Sequence, residues 1–421
     1  MNPRLAVWAC SIASTGIAVN LAPRAQAQCQ YELTIIQGGP DCEPFPPSPT
    51  LGRGINESGH VAGSYTVCAG GNGEAFLWYG GPEVITLERP PNLGSAGAWD
   101  INDAGLLVGQ MSVIGVGTRA FLYDGAQFID LGTLPGGNFS RGRAINSPGQ
   151  IVGVWGNNVV GDPGLAAFLW QDGVMLDLNA DLGTPDSEAH DINDAGQVVG
   201  WMGTSMVANA HAFLWQDGTV TDLGVLSGGF AAGAVAIDNL GRVVGWSKEP
   251  LGKSPFATWR AFLWQGGEMV DLATLPGFEH SSATDINDAG QIVGVAWGVG
   301  DNLNIQAAII QQNGIMTDLN ELIPPDTGLT MKVASAINNA GQITGWASAP
   351  AASPVAVLLT PAEQSAGDLD GDCTVGLIDF SLLLSAWGSC ALPCQPSCAG
   401  DLDGDCTVGI IDFLILLGNW S

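Results

Sequence analysis

Ile192-Asn-Asp-Ala-Gly-Gln-Val-Val-Gly-Trp201 decides the fold, because the chain says it seven times. Close copies begin at Ile55, Ile101, Ile145, Ile237, Ile286 and Ile337, with start-to-start spacings of 46, 44, 47, 45, 49 and 51 residues. A period of that size marks a supersecondary unit that packs against copies of itself. Within the phrase, Asn193 can fold its side chain onto nearby backbone, and Gly196 can take positive φ without a Cβ clash. The phrase is therefore expected to connect a strand ending near Ile192 to one covering Val198–Trp201.

Each copy is followed by an apolar third strand: Ala75–Trp78, Ala120–Tyr123, Ala167–Trp170, Ala212–Trp215, Ala261–Trp264, Ala307–Ile310 and Ala356–Leu359. Pairs such as Asp172-Gly173 and Asp217-Gly218 then turn into a short fourth strand, for example Leu176–Leu178 and Thr221–Leu223. The unit reads as a four-stranded antiparallel meander of propeller-blade size. Only six copies have a fourth strand; the seventh stops at Leu359-Thr360. The unpaired run Tyr31–Ile36 supplies the missing one. The expectation is an all-β, seven-bladed β-propeller of 28 strands closed by its N-terminal strand, which leaves no open edge.

With these residues in place, the pattern over residues 31–360 resembles the extracellular HAF-repeat proteins of bacteria, named for a segment seen here as His211-Ala212-Phe213. The resemblance implies a secreted, propeller-like repeat protein and no established catalytic residues. The His is not kept: the same position holds Glu74, Arg119, Ala166, Arg260 and Gln306 elsewhere.

Residues 1–27 read as a cleaved secretory signal, with Arg4, an apolar stretch from Leu5 to Ala22, and Ala25-Gln26-Ala27 as a small-x-small cleavage site. The expected location is extracellular, secreted or on the cell surface, with no membrane span, since no other run of 18 apolar residues occurs. The chain carries 12 basic and 41 acidic residues, a net charge of −29. Such a chain repels a phosphate backbone, which excludes nucleic acid as a partner. Once Cys10 leaves with the signal, eight Cys remain, three near the start and five near the end. An even number in a secreted chain suggests disulfides, with a pairing the sequence does not give.

After a linker at residues 362–366, the composition changes. Asp368, Asp370, Asp372, Thr374 and Asp379 recur 33 residues later as Asp401, Asp403, Asp405, Thr407 and Asp412. Each set puts Asp at loop positions 1, 3, 5 and 12 and a backbone carbonyl at 7, the oxygen-rich pattern that a Ca2+ loop needs. Two Ca2+ sites are expected. Each loop leads into an amphipathic helix pattern, Phe380, Leu383, Leu384, Trp387 and Phe413, Leu416, Leu417, Trp420. This duplicated loop and helix, residues 367–421, resembles a type I dockerin-like domain. The resemblance implies calcium-dependent folding and docking to a cohesin-like protein or cell-surface scaffold. Its recognition positions hold Leu377-Ile378 and Ile410-Ile411, which would either form an apolar docking patch or be buried in the small domain. Loop position 6 holds Cys373 and Cys406 in place of the usual Gly, and position 9 holds Gly376 and Gly409, which offer no ligand side chain.

Residues 28–361 thus form the expected propeller. Its repeated acids (Asp103, Asp194, Asp288; Asp130, Asp177, Asp222, Asp271, Asp318) could suggest a glycosidase pair. Their recurrence in several blades fits turn chemistry better. Asp100, Asp191 and Asp285 alternate with Gly54, Ala144, Ala236 and Ala336 and suggest carboxylates near one face. His60, His190, His211 and His280 fall at unrelated positions and read as scattered surface or loop residues. The functional expectation is a non-catalytic binding or display protein, with a polysaccharide or surface protein as target. A polysaccharide-degrading enzyme is the alternative, and a cluster of non-repeated carboxylates at the central opening would favour it.

Overall fold

The computed structural model describes residues 31–38, 49–67, 73–157, 164–204, 209–250, 257–298, 305–324, 327–350, 352–362, 367, 369, 375–389, 400–403 and 406–419. The expected signal at 1–27 and the cysteines Cys29, Cys42, Cys68, Cys373, Cys390, Cys394 and Cys398 lie outside them. The chain divides into two compact units, Cys29–Gln364 and a second that includes Ser365–Ser421.

The first unit is a seven-bladed β-propeller. Seven four-stranded antiparallel sheets follow one another along the chain. Blade 4 shows the pattern: Asp186–Ile192, Val198–Gly203, His211–Gln216 and Thr219–Gly224. The first strand of every blade touches the first strand of the next, and the first strand of blade 7, Thr330–Ile337, touches that of blade 1, Thr50–Ile55. These innermost strands surround a central channel. In blade 7, Tyr31–Ile36 pairs antiparallel with Val355–Pro361, from Tyr31 opposite Pro361 to Ile36 opposite Ala356.

The repeated phrase accounts for this geometry. The Asn193 carbonyl accepts from the Gly196 amide at 3.0 Å, and Gly196 sits at φ 76°. The later glycine of the phrase has a different role. A Cβ on Gly200 would lie 1.9 Å from the Glu188 carbonyl of the paired first strand, so only Gly lets the two strands approach. Third-strand Phe76, Phe121, Phe168, Phe213 and Phe262 are fully buried. Each contributes about 1.5–3 kcal/mol relative to an exposed ring. The apolar core lies mainly between blades, as where Leu169 and Leu178 of blade 3 meet Val198 and Phe213 of blade 4.

Every first strand also carries a register break just before its Ile, for example between Ala189 and Asp191. A bulge of this kind inserts one unpaired residue and re-aims its side chain.

The second unit has helices Leu377–Ser385 and Ile410–Gly418 and a short ladder joining Gly388–Ser389 to Thr407–Val408. Val375, Leu383, Val408 and Leu416 form its core. The expected four-residue apolar stripes are narrower than they read. Leu383 and Leu416 are buried, with Phe380 and Phe413 packed partly against them, but Leu384, Trp387 and Leu417 are more than 40% exposed.

Candidate functional site in the central channel

Three layers line the channel. One is built by the Asn of each phrase. Asn56 Nδ2 donates to the Asn102 carbonyl (3.2 Å), Asn102 to Asn146 (3.0 Å), Asn146 to Asn193 (3.0 Å) and Asn193 to Asp238 (3.0 Å). Asn287 donates to Asn338 (2.9 Å), and Asn338 returns to Asn56 (3.0 Å). Blade 5 has Asp238, which lacks a donor. There Arg242, ion-paired with Asp238, reaches the Asn287 carbonyl at 3.2 Å in its stead. The hydrogen bonds therefore run around all seven blades.

Asp103, Asp194 and Asp288, one residue further on, accept the amides of Glu57, Ser147 and Asn239 in the preceding blade. Asp130, Asp177, Asp222, Asp271 and Asp318 each accept the amide two residues ahead. Turn and blade-to-blade hydrogen bonds thus account for the repeated acids.

The second layer comprises Asp100, Asp191 and Asp285. Each carboxylate accepts the amide of its own following Ile and that of the Ile in the next blade. The pairs are Ile101 and Ile145, Ile192 and Ile237, and Ile286 and Ile337, all at 2.7–2.9 Å. Blades are thereby stitched as 2–3, 4–5 and 6–7. Burial pushes all three pKa values up against the pull of those amides, Asp100 to about 7 and Asp191 to about 6. Asp285, repelled also by Asp191 and Asp100, stands well above the usual carboxylate range.

The third layer does not repeat. The seven bulge residues are Arg53, Trp99, Arg143, His190, Val235, Thr284 and Ser335. All of them line one cavity of about 460 Å³. Arg53 from blade 1 and Arg143 from blade 3 both lie over the Trp99 ring of blade 2, at 4.4 and 4.5 Å from its centre. Glu188, from the first strand of blade 4, accepts from Arg143 Nε at 2.7 Å and lies 3.8 Å from His190 Nε2. His190 Nδ1 donates to the Ala234 carbonyl at 2.9 Å. Burial opposes the Glu188 carboxylate, but His190 and Arg143 outweigh it and hold the pKa at about 2.

His190 is therefore a channel residue, not a scattered surface one. His280 is buried too, stacked on Trp297. Both had looked isolated because spacing along the chain does not reveal a channel wall. Arg53, Trp99, Arg143 and Glu188 did not stand out in the sequence. Their signal was variability: two residues before each Ile, an otherwise repetitive phrase reads Arg, Trp, Arg, His, Val, Thr, Ser.

The second unit brings together part of the expected metal set. Carboxylate oxygens of Asp401, Asp403 and Asp412 lie within 4.8 Å of one another. Three hard oxygen donors at that spacing fit a Ca2+ ion. Asp412 accepts the amides of Leu402 (2.6 Å), Asp403 (3.2 Å) and Gly409 (2.7 Å). These hold its pKa below the usual value although burial opposes them. Asp379 repeats the arrangement with Leu369 and Gly376, both at 2.7 Å. Thr407 lies in the short ladder. Asp368, Asp370, Asp372, Thr374, Asp405 and the Ile378 side chain lie outside the described residues. Cys406 takes φ 70° at the position where Gly is usual, and it is disulfide-bonded. Leu377, Ile410 and Ile411 are exposed, at 76%, 67% and 56%.

Residues 55–320 match a family described as a protein of unknown function (DUF3466). No curated protein matches. Among solved structures, the chain is similar to the Pyrococcus horikoshii acylaminoacyl peptidase, with 10% identity and a TM-score of 0.49, over 74% of this chain and 51% of that one. The chain thus spans about half the length of that peptidase. It is also similar to the β-propeller domain of the trilobed protease from Pyrococcus furiosus (10% identity, TM-score 0.48, 75% and 96% covered). A third is the polysaccharide lyase Uly1 (9% identity, TM-score 0.43, 80% and 98% covered). No activity is carried over from any of them. Among the described residues, no helix is long and apolar enough to cross a membrane.

Proposed function

The chain belongs to the DUF3466 family, and from that premise we propose that it is a secreted, non-catalytic binding or display protein. Its propeller takes a ligand in the central channel, and a calcium-dependent, dockerin-like tail attaches it to a cohesin-like protein or cell-surface scaffold. One observation carries the binding reading. The Asn layer recurs in six of the seven blades and the Asp layer in blades 2, 4 and 6, while the seven bulge residues follow no pattern and surround a cavity of about 460 Å³. Repetition serves architecture, and a non-repeating wall serves recognition. The resemblance to HAF-repeat proteins supports an extracellular setting, with a polysaccharide or surface protein as target. For the tail, the clustered oxygens of Asp401, Asp403 and Asp412 support Ca2+. The exposed Leu377, Ile410 and Ile411 offer an apolar docking face.

One observation favours a polysaccharide-degrading enzyme as the second reading. The channel cavity holds carboxylates of opposed titration, Glu188 at about 2 and Asp191 at about 6, as an acid–base pair requires. Yet each Asp191 oxygen already accepts a backbone amide, and the same arrangement recurs in blades 2 and 6. Structural use accounts for it better.

The test is an array of glycans and secreted proteins probed with the full chain, with and without a chelator, beside a Trp99→Ala/His190→Ala variant. Channel ligands should be lost in the variant and kept in chelator. Tail partners should behave the other way round, with calorimetry reporting Ca2+ uptake. Binding untouched by the variant would remove the channel reading, and release of reducing sugar would favour the enzyme.

A further inference from the structure

Among the described residues, the channel cavity contains a cation with no ion-pair partner, Arg53. Arg143 has Glu188. Among the described residues, Arg53 has no hydrogen-bond acceptor and no carboxylate partner; its contact is the Trp99 face, at 4.4 Å. Burial lowers its pKa, and the neighbouring cation Arg143 lowers it further. A guanidinium held over an aromatic face by its charge still has N–H donors to offer another partner. Those donors form a rigid fork matched to a planar carboxylate. A partly buried charge without a partner is costly, and a bound anion removes that cost.

Two further features narrow the anion. Asp100, Asp191 and Asp285 line the same cavity as Arg53, and the charge they take up as pH rises through about 6 and 7 opposes a dianion such as sulfate or phosphate more than a monoanion. Val235, Val333 and Trp246 supply an apolar wall, which suits a ligand with an apolar face beyond its charged end. We infer that the channel binds a small monocarboxylate, its carboxylate held bidentately by the edge of Arg53 and its body packed against that wall. The inference rests on the channel being a ligand site and specifies what that site selects. Two sources share this chemistry, an acidic sugar and a simple organic acid.

The experiment is titration calorimetry of the full chain with glucuronate, benzoate, glucose and inorganic sulfate, on wild type, Arg53→Gln and Arg53→Lys. A carboxylate probe should bind wild type, weaken at least about tenfold in Arg53→Gln, and be partly retained in Arg53→Lys, which keeps charge but loses the fork. Glucuronate alone would identify an acidic sugar, and benzoate alone or alongside it an organic acid. Unchanged carboxylate affinity in a folded Arg53→Gln overturns the assignment. So does glucose binding as tightly as glucuronate, which leaves the channel a ligand site but removes its charge selectivity. Should Arg53→Gln fail to fold, the glucuronate-to-glucose comparison on wild type still decides. Carboxylates that leave the folded wild type unbound also sink the inference, and the array described above then separately decides whether the channel binds anything.

Discussion

Asp238 shows how closely one residue of a blade is tied to its neighbours. In blades 3, 4, 6 and 7 the channel Asn is followed four residues later by a Gln whose side-chain oxygen accepts from it: Gln150, Gln197, Gln291 and Gln342. Blade 5 exchanges both members, placing Asp238 and Arg242 where the others have Asn and Gln. The Asp238 side chain is fully buried, and Arg242 is its ion-pair partner. Arg242→Gln alone should cost about 3–5 kcal/mol, because it strands a buried carboxylate and breaks the link to Asn287. Asp238→Asn with Arg242→Gln rebuilds the pair used elsewhere and should return to within about 1 kcal/mol of wild type. Urea unfolding of both single variants and the double measures the coupling. Additive losses would mean that the two residues do not act as a unit. The exchange was visible in the repeats, but its purpose was not. The ring bond joins residues as far apart as Asn338 and Asn56, a contact that no local pattern encodes.

At the scale of elements, the blade meander was legible because strand period, Asp-Gly turns and repetition all point the same way. The bulge was not. A single inserted residue changes which way one side chain faces, and the local sequence around it still reads as an unbroken strand. The candidate site is made of those inserted residues, which is why it escaped the sequence while the fold did not. The outer strand of blade 7 gives a test at this scale. Ile36 packs with Val61, Phe76 and Leu358, and Tyr31 packs with Leu319, Met331 and Leu359. The strand thus fills the core on both sides of its blade. Deleting residues 29–38 uncovers the edge of Val355–Pro361 and removes two large buried side chains, worth about 1.5–3 kcal/mol each. A lower Tm with concentration-dependent aggregation is expected from calorimetry and light scattering. A monodisperse variant with unchanged Tm would show that this strand is dispensable.

For the whole molecule, seven blades and three stitching carboxylates do not divide evenly. Asp100, Asp191 and Asp285 join six blades in pairs, and blade 1, with Gly54 at that position, is tied on by the Asn ring and its packed core. Those carboxylates give stability a pH dependence whose sign follows from their direction of shift. Their folded pKa values lie above the unfolded value, so between about pH 4 and 7 the native state holds more protons than the unfolded chain. The stability they supply is full below the unfolded pKa and is lost as pH rises through about 6 for Asp191 and about 7 for Asp100. Glu188 runs the other way. Held at about 2, it contributes above its unfolded value and loses that contribution as pH falls towards 2. Urea midpoints should therefore decline from pH 5.5 to 7.5, with a slope approaching ~1.4 kcal/mol per pH unit for each proton released. Growing self-repulsion of an acidic chain explains little of such a decline, since exposed carboxylates are already ionised at pH 5.5. Asp100→Asn should lower stability at every pH, because its amide replaces one acceptor, and should flatten the slope. A wild-type stability that rises from pH 5.5 to 7.5 would show that these carboxylates stay charged in the folded channel.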